Sequence, residues 1–182
     1  MRYFLTRRIP DIRRVLLVES GSRQLFDRFI PNLFASLGDE LRLDLVTCYA
    51  GEPEGFRPNR GKVYRVSDYQ GAAGRSRLCS ELAANNYSAI GIICSAEPIM
   101  TKWKWLLAAR IPTKVFILNE NGDYFWFDRS NWRIIVHFIL FRAGLTGGEA
   151  VPTLARLFLF PLTLIYLLLY AAFVHLRRKV HA

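Results

Sequence analysis

The sequence predicts an α/β protein: a Rossmann-like parallel sheet of about five strands, followed by an interfacial helix and one C-terminal transmembrane helix. Three observations carry this. Apolar runs of strand length alternate with segments of helix length from Val15 to Leu118. An aromatic, weakly charged segment follows, and the stretch from Leu157 to Leu176 then runs for 20 residues without Asp, Glu, Lys or Arg. The resulting division is a basic arm at residues 1–14, a Rossmann-like domain at 15–130, an interfacial helix and linker at 131–152, and an anchor with a basic tail at 153–182.

The arm carries Arg2, Arg7, Arg8, Arg13 and Arg14 against one acid, Asp11. Its apolar content is too short for the core of a secretory signal, so no cleaved leader is expected. Strands are expected at Val15–Val18, Leu41–Tyr49, Val63–Val66, Ala89–Cys94 and Lys114–Leu118, and helices at Gln24–Leu37, Arg75–Asn86 and Lys102–Arg110. Continuous apolar strands spaced by helices indicate a parallel sheet covered on both faces. Its first strand should lie near the middle, with ligand-facing loops at the carboxyl ends of the first and fourth strands.

Three loops hold the polar candidates. Glu19, Ser20, Ser22 and Arg23 surround Gly21 after the first strand, where a helix N-terminus is able to hold a phosphate or a sugar hydroxyl. The plainer reading is a tight turn capped by serine. Ser95 and Glu97 end the fourth strand, so Glu19 and Glu97 are expected to face one another across the cleft. Asn119, Glu120 and Asp123 follow the fifth strand and resemble a carbohydrate-facing edge; an Asx turn with Gly122 at positive φ is the preferred reading. Trp103 and Trp105 with Lys102 and Lys104 form an aromatic, basic patch.

A single glycine after the first strand excludes the dinucleotide fingerprint, and no Gly-Lys-Ser/Thr ending marks a P-loop, so no cofactor is expected. The histidines, His137, His175 and His181, all lie outside the α/β repeat, which argues against zinc hydrolysis and histidine-triad chemistry and leaves no expected metal site. Cys48, Cys79 and Cys94 show no paired spacing and read as buried thiols in a reducing compartment.

From Trp132 to Phe141 the chain is apolar between Arg133 and Arg142, too short to cross a bilayer. It reads as a helix lying in the membrane interface, the alternative being a final helix packed on the sheet. Gly144, Gly147 and Gly148 lead to the anchor. At about 1.5 Å per residue, Leu157–Leu176 is roughly 30 Å long, one hydrocarbon thickness. Membrane contact is expected from Trp132, Arg133, Arg142, Arg156, Arg177, Arg178 and Lys179. Residues 1–150 hold 21 Lys plus Arg against 15 Asp plus Glu, and the whole chain is +10. Such a balance suits an anionic cytoplasmic membrane face; no nucleic-acid motif accompanies it. The domain is expected in the cytoplasm on a single-pass anchor, with the side of the short tail left open because both flanks are basic.

Val15-Leu16-Leu17-Val18, Ile30-Pro31-Asn32-Leu33 and Leu43-Asp44-Leu45-Val46-Thr47 together resemble the N-terminal half of GT-B glycosyltransferases, of the lipopolysaccharide heptosyltransferase type (glycosyltransferase family 9), over roughly residues 13–120. That family opens its first helix with Gly-Asp, the aspartate being the proposed base; alignment through Pro31 places Gln24 and Leu25 there. The family's second, donor-binding domain is replaced by the anchor. The resemblance implies the acceptor-side subunit of a split glycosyltransferase acting on a lipid-linked glycan, with a donor-binding half as protein partner. The rival expectation is a non-catalytic accessory subunit of a membrane protein complex, with the Rossmann-like domain used for docking.

Overall fold

The computed structural model describes residues 4–5, 9–95, 97–146 and 150–180. It divides into two compact units, Met1–Trp132 and Arg133–Ala182. The first unit is built on a six-stranded sheet in the order β3-β2-β1-β4-β5-β6. Its strands are β1 (Arg14–Val18), β2 (Arg42–Thr47), β3 (Val63–Arg65), β4 (Ala89–Ile93), β5 (Lys114–Leu118) and β6 (Tyr124–Trp126). Its helices are α1 (Arg23–Leu37), α2 (Gly71–Ala83) and α3 (Thr101–Arg110).

The first five strands are parallel, with Leu17 in register with Leu45 on one side and Gly91 on the other. The central strands, β4 and β1 beyond Arg14, are short, apolar and buried on both faces, the composition a two-sided sheet requires, whereas the edge strand β3 buries only Tyr64. Val15, Leu17, Leu43, Leu45, Ala89 and Ile93 project to one face, where Phe26, Ile30 and Phe34 of α1 meet them together with Phe56 and Phe116. The opposite pleat carries Leu16, Val18, Ile90, Ile92 and Ile117, all buried, as are Leu78 and Leu82 of α2 and Leu107 of α3.

Two departures from expectation have local causes. A sixth strand is present because the Asn119–Asp123 turn reverses the chain, so that Tyr124–Trp126 pairs antiparallel with Phe116–Leu118. Helix α2 begins at Gly71, four residues before Arg75, despite two glycines in its first turn. Gly71 adopts φ +70° and Gly74 packs so closely that a Cβ there would stand 2.4 Å from the Tyr69 carbonyl carbon. Poor helix formers are retained at these positions because backbone shape demands them.

Two buried carboxylates of the first unit, Asp44 and Asp128, are paired with basic side chains. Asp44 of β2 receives Arg14 at 2.9 Å, the Tyr87 hydroxyl at 2.7 Å and the Lys62 amide at 2.8 Å. Burial, with the bond to Asp44, holds the Tyr87 phenol far above its ordinary pKa. Lys114 and Asp128 form an ion pair at 2.9 Å with side-chain exposures of 2% and 4%. Asp128 Oδ1 also accepts from the Ser130 and Asn131 amides, capping the short 3-10 turn Arg129–Asn131.

In the second unit, α4 (Trp132–Arg142) ends at Gly144, φ +67°. The Leu145 amide donates to the Leu140 carbonyl at 2.8 Å, the six-to-one bond of a Schellman stop. Helix α5 (Ala150–Val180) has 31 residues and contains Pro161. Its segment Leu154–Arg177, 24 residues whose most apolar 18-residue window has a mean hydropathy of 2.4, is the one described helix long and apolar enough to cross a membrane, and none of that window is buried within the protein.

Candidate functional site

In a sheet of this order the chain reverses direction between β1 and β4, and the crevice beyond their carboxyl ends is where doubly wound folds bind ligands. Three loops meet there. Ser22 with Gln24, Leu25 and Arg28 of α1, Ser95 and Glu97 after β4, and Glu120 after β5 line a cavity of about 360 Å³. Gly21 permits this convergence: a Cβ on it would stand 2.5 Å from Ile93 Cγ2 and 3.1 Å from Ser95 Oγ. Only a residue without a side chain lets the first turn lie against the end of β4.

Four of the expected residues, Ser22, Ser95, Glu97 and Glu120, are thus brought to one cavity. Glu97 and Glu120 are exposed, whereas Ser95 is half-buried with its hydroxyl oxygen out of solvent and without a hydrogen-bond partner among the described residues. Ser22 occupies the N-cap of α1, but its side chain makes no capping bond.

Glu19 is placed differently. It is 0% exposed and faces inward. Arg23 grips both its oxygens, Nε to Oε1 at 2.9 Å and Nη2 to Oε2 at 3.1 Å, and the Thr47 hydroxyl donates to Oε2 at 2.5 Å. The bond to Glu19 is the largest influence raising the Arg23 pKa above its already high value. Arg23 also donates to the Ala50 carbonyl and lies 5.2 Å from the centre of the Tyr49 ring. A buried carboxylate engaged by a fork of guanidinium donors is a structural brace, because freeing it would strand a charge away from water. Glu19 and Glu97 therefore do not face each other across the cleft as a pair of open carboxylates. Ser20 is likewise internal, its hydroxyl donating to the Ile93 carbonyl at 2.8 Å.

The Asn119–Asp123 cluster is the β5–β6 turn. Asn119 Oδ1 accepts from the amides of Asn121 (3.0 Å) and Asp123 (2.9 Å), Asn119 Nδ2 donates to Asp123 Oδ2 at 3.2 Å, and Gly122 sits at φ +86°. Asn119 and Asp123 are occupied in shaping the hairpin, and Glu120 alone of the three lines the cavity. The patch on α3 is split: Lys104 is buried and donates to the Ile93 carbonyl at 3.1 Å, while Lys102 and Trp105 face outward. Cys79 and Cys94 are buried thiols and Cys48 is exposed.

Among the membrane-contact candidates, Trp132, Arg133, Arg156 and Arg177 are exposed and Arg142 is half-buried. Arg178 and Lys179 lie in the last turn of α5, their side chains outside the described residues, as are Arg2, Arg7, Arg8, Gly147, Gly148 and His181.

Sequence reasoning missed an apolar groove of about 220 Å³ on the α1 face, walled by Phe29, Leu33 and Leu37 of α1 and by Phe116, Tyr124 and Trp126 of the last two strands. The signal was available. Phe26, Ile30 and Phe34 form one i, i+4 row that enters the core, and Phe29, Leu33 and Leu37 form a second beside it. Helix α1 therefore carries a wider apolar face than one buried stripe needs. Tyr124, at 62% exposure, leaves the groove open on its strand side.

Comparison with known proteins adds little. No family model and no curated protein matches the chain. Among solved structures, glycinamide ribonucleotide transformylase 1 from Symbiobacterium toebii is similar over 58% of this chain and 51% of its own, at 13% identity and a TM-score of 0.34, too low to support any inference. The resemblance to GT-B glycosyltransferases is corrected: neither the family models, the curated proteins nor the solved structures show a glycosyltransferase likeness for this chain. The cavity agrees, since Gln24 and Leu25 line it where that family would place its base.

Proposed function

We propose that the chain is a membrane-anchored, non-catalytic accessory subunit of a membrane protein complex, with the Rossmann-like domain as its docking module on the cytoplasmic side. The observation that carries this reading is the second apolar row of α1. Phe29, Leu33 and Leu37, with Tyr124 and Trp126, offer an aromatic groove on a domain whose most deeply placed loop carboxylate, Glu19, is committed to an internal ion pair. An aromatic centre with a polar rim is the composition of a protein-binding patch. Among the described residues that line the switch-point cavity there is no histidine.

The apolar segment of α5 supplies the anchor. Arg156 before it and Arg177 after it lie where long basic side chains reach the headgroups of anionic lipids. Helix α4 presents Trp132, Ile134, Ile139 and Phe141 to its surroundings, a composition suited to the interface of the same bilayer.

The test is purification of the full chain from its own membranes in mild detergent, with the mass and stoichiometry of co-purifying proteins measured. A partner recovered at a fixed ratio, and lost when Leu33→Glu is introduced without loss of folding, supports the reading. A chain that elutes without any stoichiometric partner refutes it.

A further inference from the structure

The polar side chains of the apolar part of α5 share one stripe. Between Leu154 and Val174 they are Arg156, Thr163, Tyr166 and Tyr170. At about 100° per residue these four fall within an arc of roughly 80°. From Leu159 through Thr163, Tyr166, Tyr170 and Phe173 the spacing alternates four and three, the seam along which two helices coil.

Depth makes the stripe unusual. Tyr166 stands at the middle of the Leu154–Arg177 segment; Thr163 and Tyr170 lie about 4 and 7 Å from that middle along the axis. All three are well inside a hydrocarbon half-thickness of about 15 Å, whereas tyrosine ordinarily favours the water interface. The Cα–Cβ bonds of a helix tilt toward its N-terminus, which carries the Tyr170 ring toward the midplane and away from the nearer surface. The rings of Tyr166 and Tyr170 stack at 6.3 Å and 17°, so the two phenols run side by side. Thr163 donates its own proton to the Leu159 carbonyl at 3.0 Å, which leaves Oγ1 as an acceptor.

We propose that α5 pairs in parallel with α5 of a second copy of this chain along this stripe; the proposal rests on the membrane reading of α5. The Tyr166 hydroxyl donates to Thr163 Oγ1 of the other copy, and the Tyr170 hydroxyl donates to the Tyr166 oxygen of the other copy. Every hydroxyl proton then has an acceptor drawn from this sequence alone, and that self-complementarity identifies the occupant as a second copy. Buried hydroxyls in hydrocarbon otherwise stay unpaired at a high cost. Arg156 and Arg177 lie near the two ends of the segment, where their side chains reach water and salt screens the like charges.

The experiment uses the full chain, labelled at its N-terminus with a donor or an acceptor fluorophore and reconstituted into phosphatidylcholine–phosphatidylglycerol vesicles. Energy transfer is followed as lipid dilutes the protein. Saturable transfer is expected. The double variant Tyr166→Phe/Tyr170→Phe, which removes only two oxygens, should weaken association roughly 10- to 100-fold through the lost interhelical hydrogen bonds. Leu168→Ala, on the far side of the helix, should leave association unchanged. Transfer no greater than that of randomly placed chains, or transfer unaffected by the double variant, overturns the pairing. A chain that does not float with the vesicles overturns the membrane reading itself, and so is distinguished from one that floats without pairing.

Discussion

Lys114 and Asp128 illustrate how single residues set the stability of the first unit. Both are almost fully buried, and the Lys114 ammonium also lies 5.5 Å from the centre of the Trp126 ring. Asp128→Ala would take the carboxylate away from a buried cation and leave the Ser130 and Asn131 amides uncapped. Equilibrium denaturation should show a loss of about 3–5 kcal/mol, whereas replacing both partners, Lys114→Met with Asp128→Leu, should cost far less. Gly91 sets a second limit. A methyl group there would stand 2.4 Å from the Phe116 ring and 2.7 Å from Leu17 Cδ2, so Gly91→Ala should destabilise by about 1–3 kcal/mol in the same measurement. At this scale the sequence was least legible. Glu19 and Glu97 look alike as carboxylates after strands, and only the spatial arrival of Thr47 together with the i, i+4 Arg23 commits Glu19 to the interior. The spacing to Arg23 was readable; the approach of Thr47, 28 residues away, was not.

Elements were read more faithfully than residues, because the contrast between apolar strands and amphipathic helices is local. Every parallel strand and the three helices of the first unit follow that alternation. What escaped was the hairpin strand β6, whose three residues are too few for a periodic pattern and whose existence depends on the Asn119–Gly122 turn. Gly122→Val forces a branched residue to φ +86° and should cost about 1–2 kcal/mol, read as a lower unfolding midpoint. The start of α2 offers a pH test. Burial, and then the 2.7 Å hydrogen bond to Glu81, raise the Tyr69 phenol to a pKa of about 12. The folded state thus holds this proton more tightly than the unfolded chain, whose tyrosines titrate near 10. The resulting stabilisation is complete below pH about 10 and is lost as pH rises toward 12. Tyr69→Phe should flatten that part of the stability profile, and a variant whose alkaline profile matches the parent would assign the loss elsewhere.

At the scale of the whole molecule, two units divide the chain's chemistry. The first gathers all but one of the acids and most of the bases around an open six-stranded sheet, and the second is dominated by apolar helix with basic residues near its ends. The long apolar run was the plainest signal in the sequence because it needs no tertiary context. The switch-point cavity was half legible: topology brings its three loops together, but which side chains turn outward depends on packing that no local pattern encodes. The central claim is that α5 anchors the chain in a bilayer. The direct measurement is alkaline carbonate extraction of membranes containing the full chain, beside the variant Leu164→Arg/Leu168→Arg. Each added arginine near the helix centre opposes insertion by about 2.5–3.5 kcal/mol. The account requires the parent chain to stay in the membrane pellet and the double-arginine variant to be released. Release of the parent chain into the supernatant would contradict it.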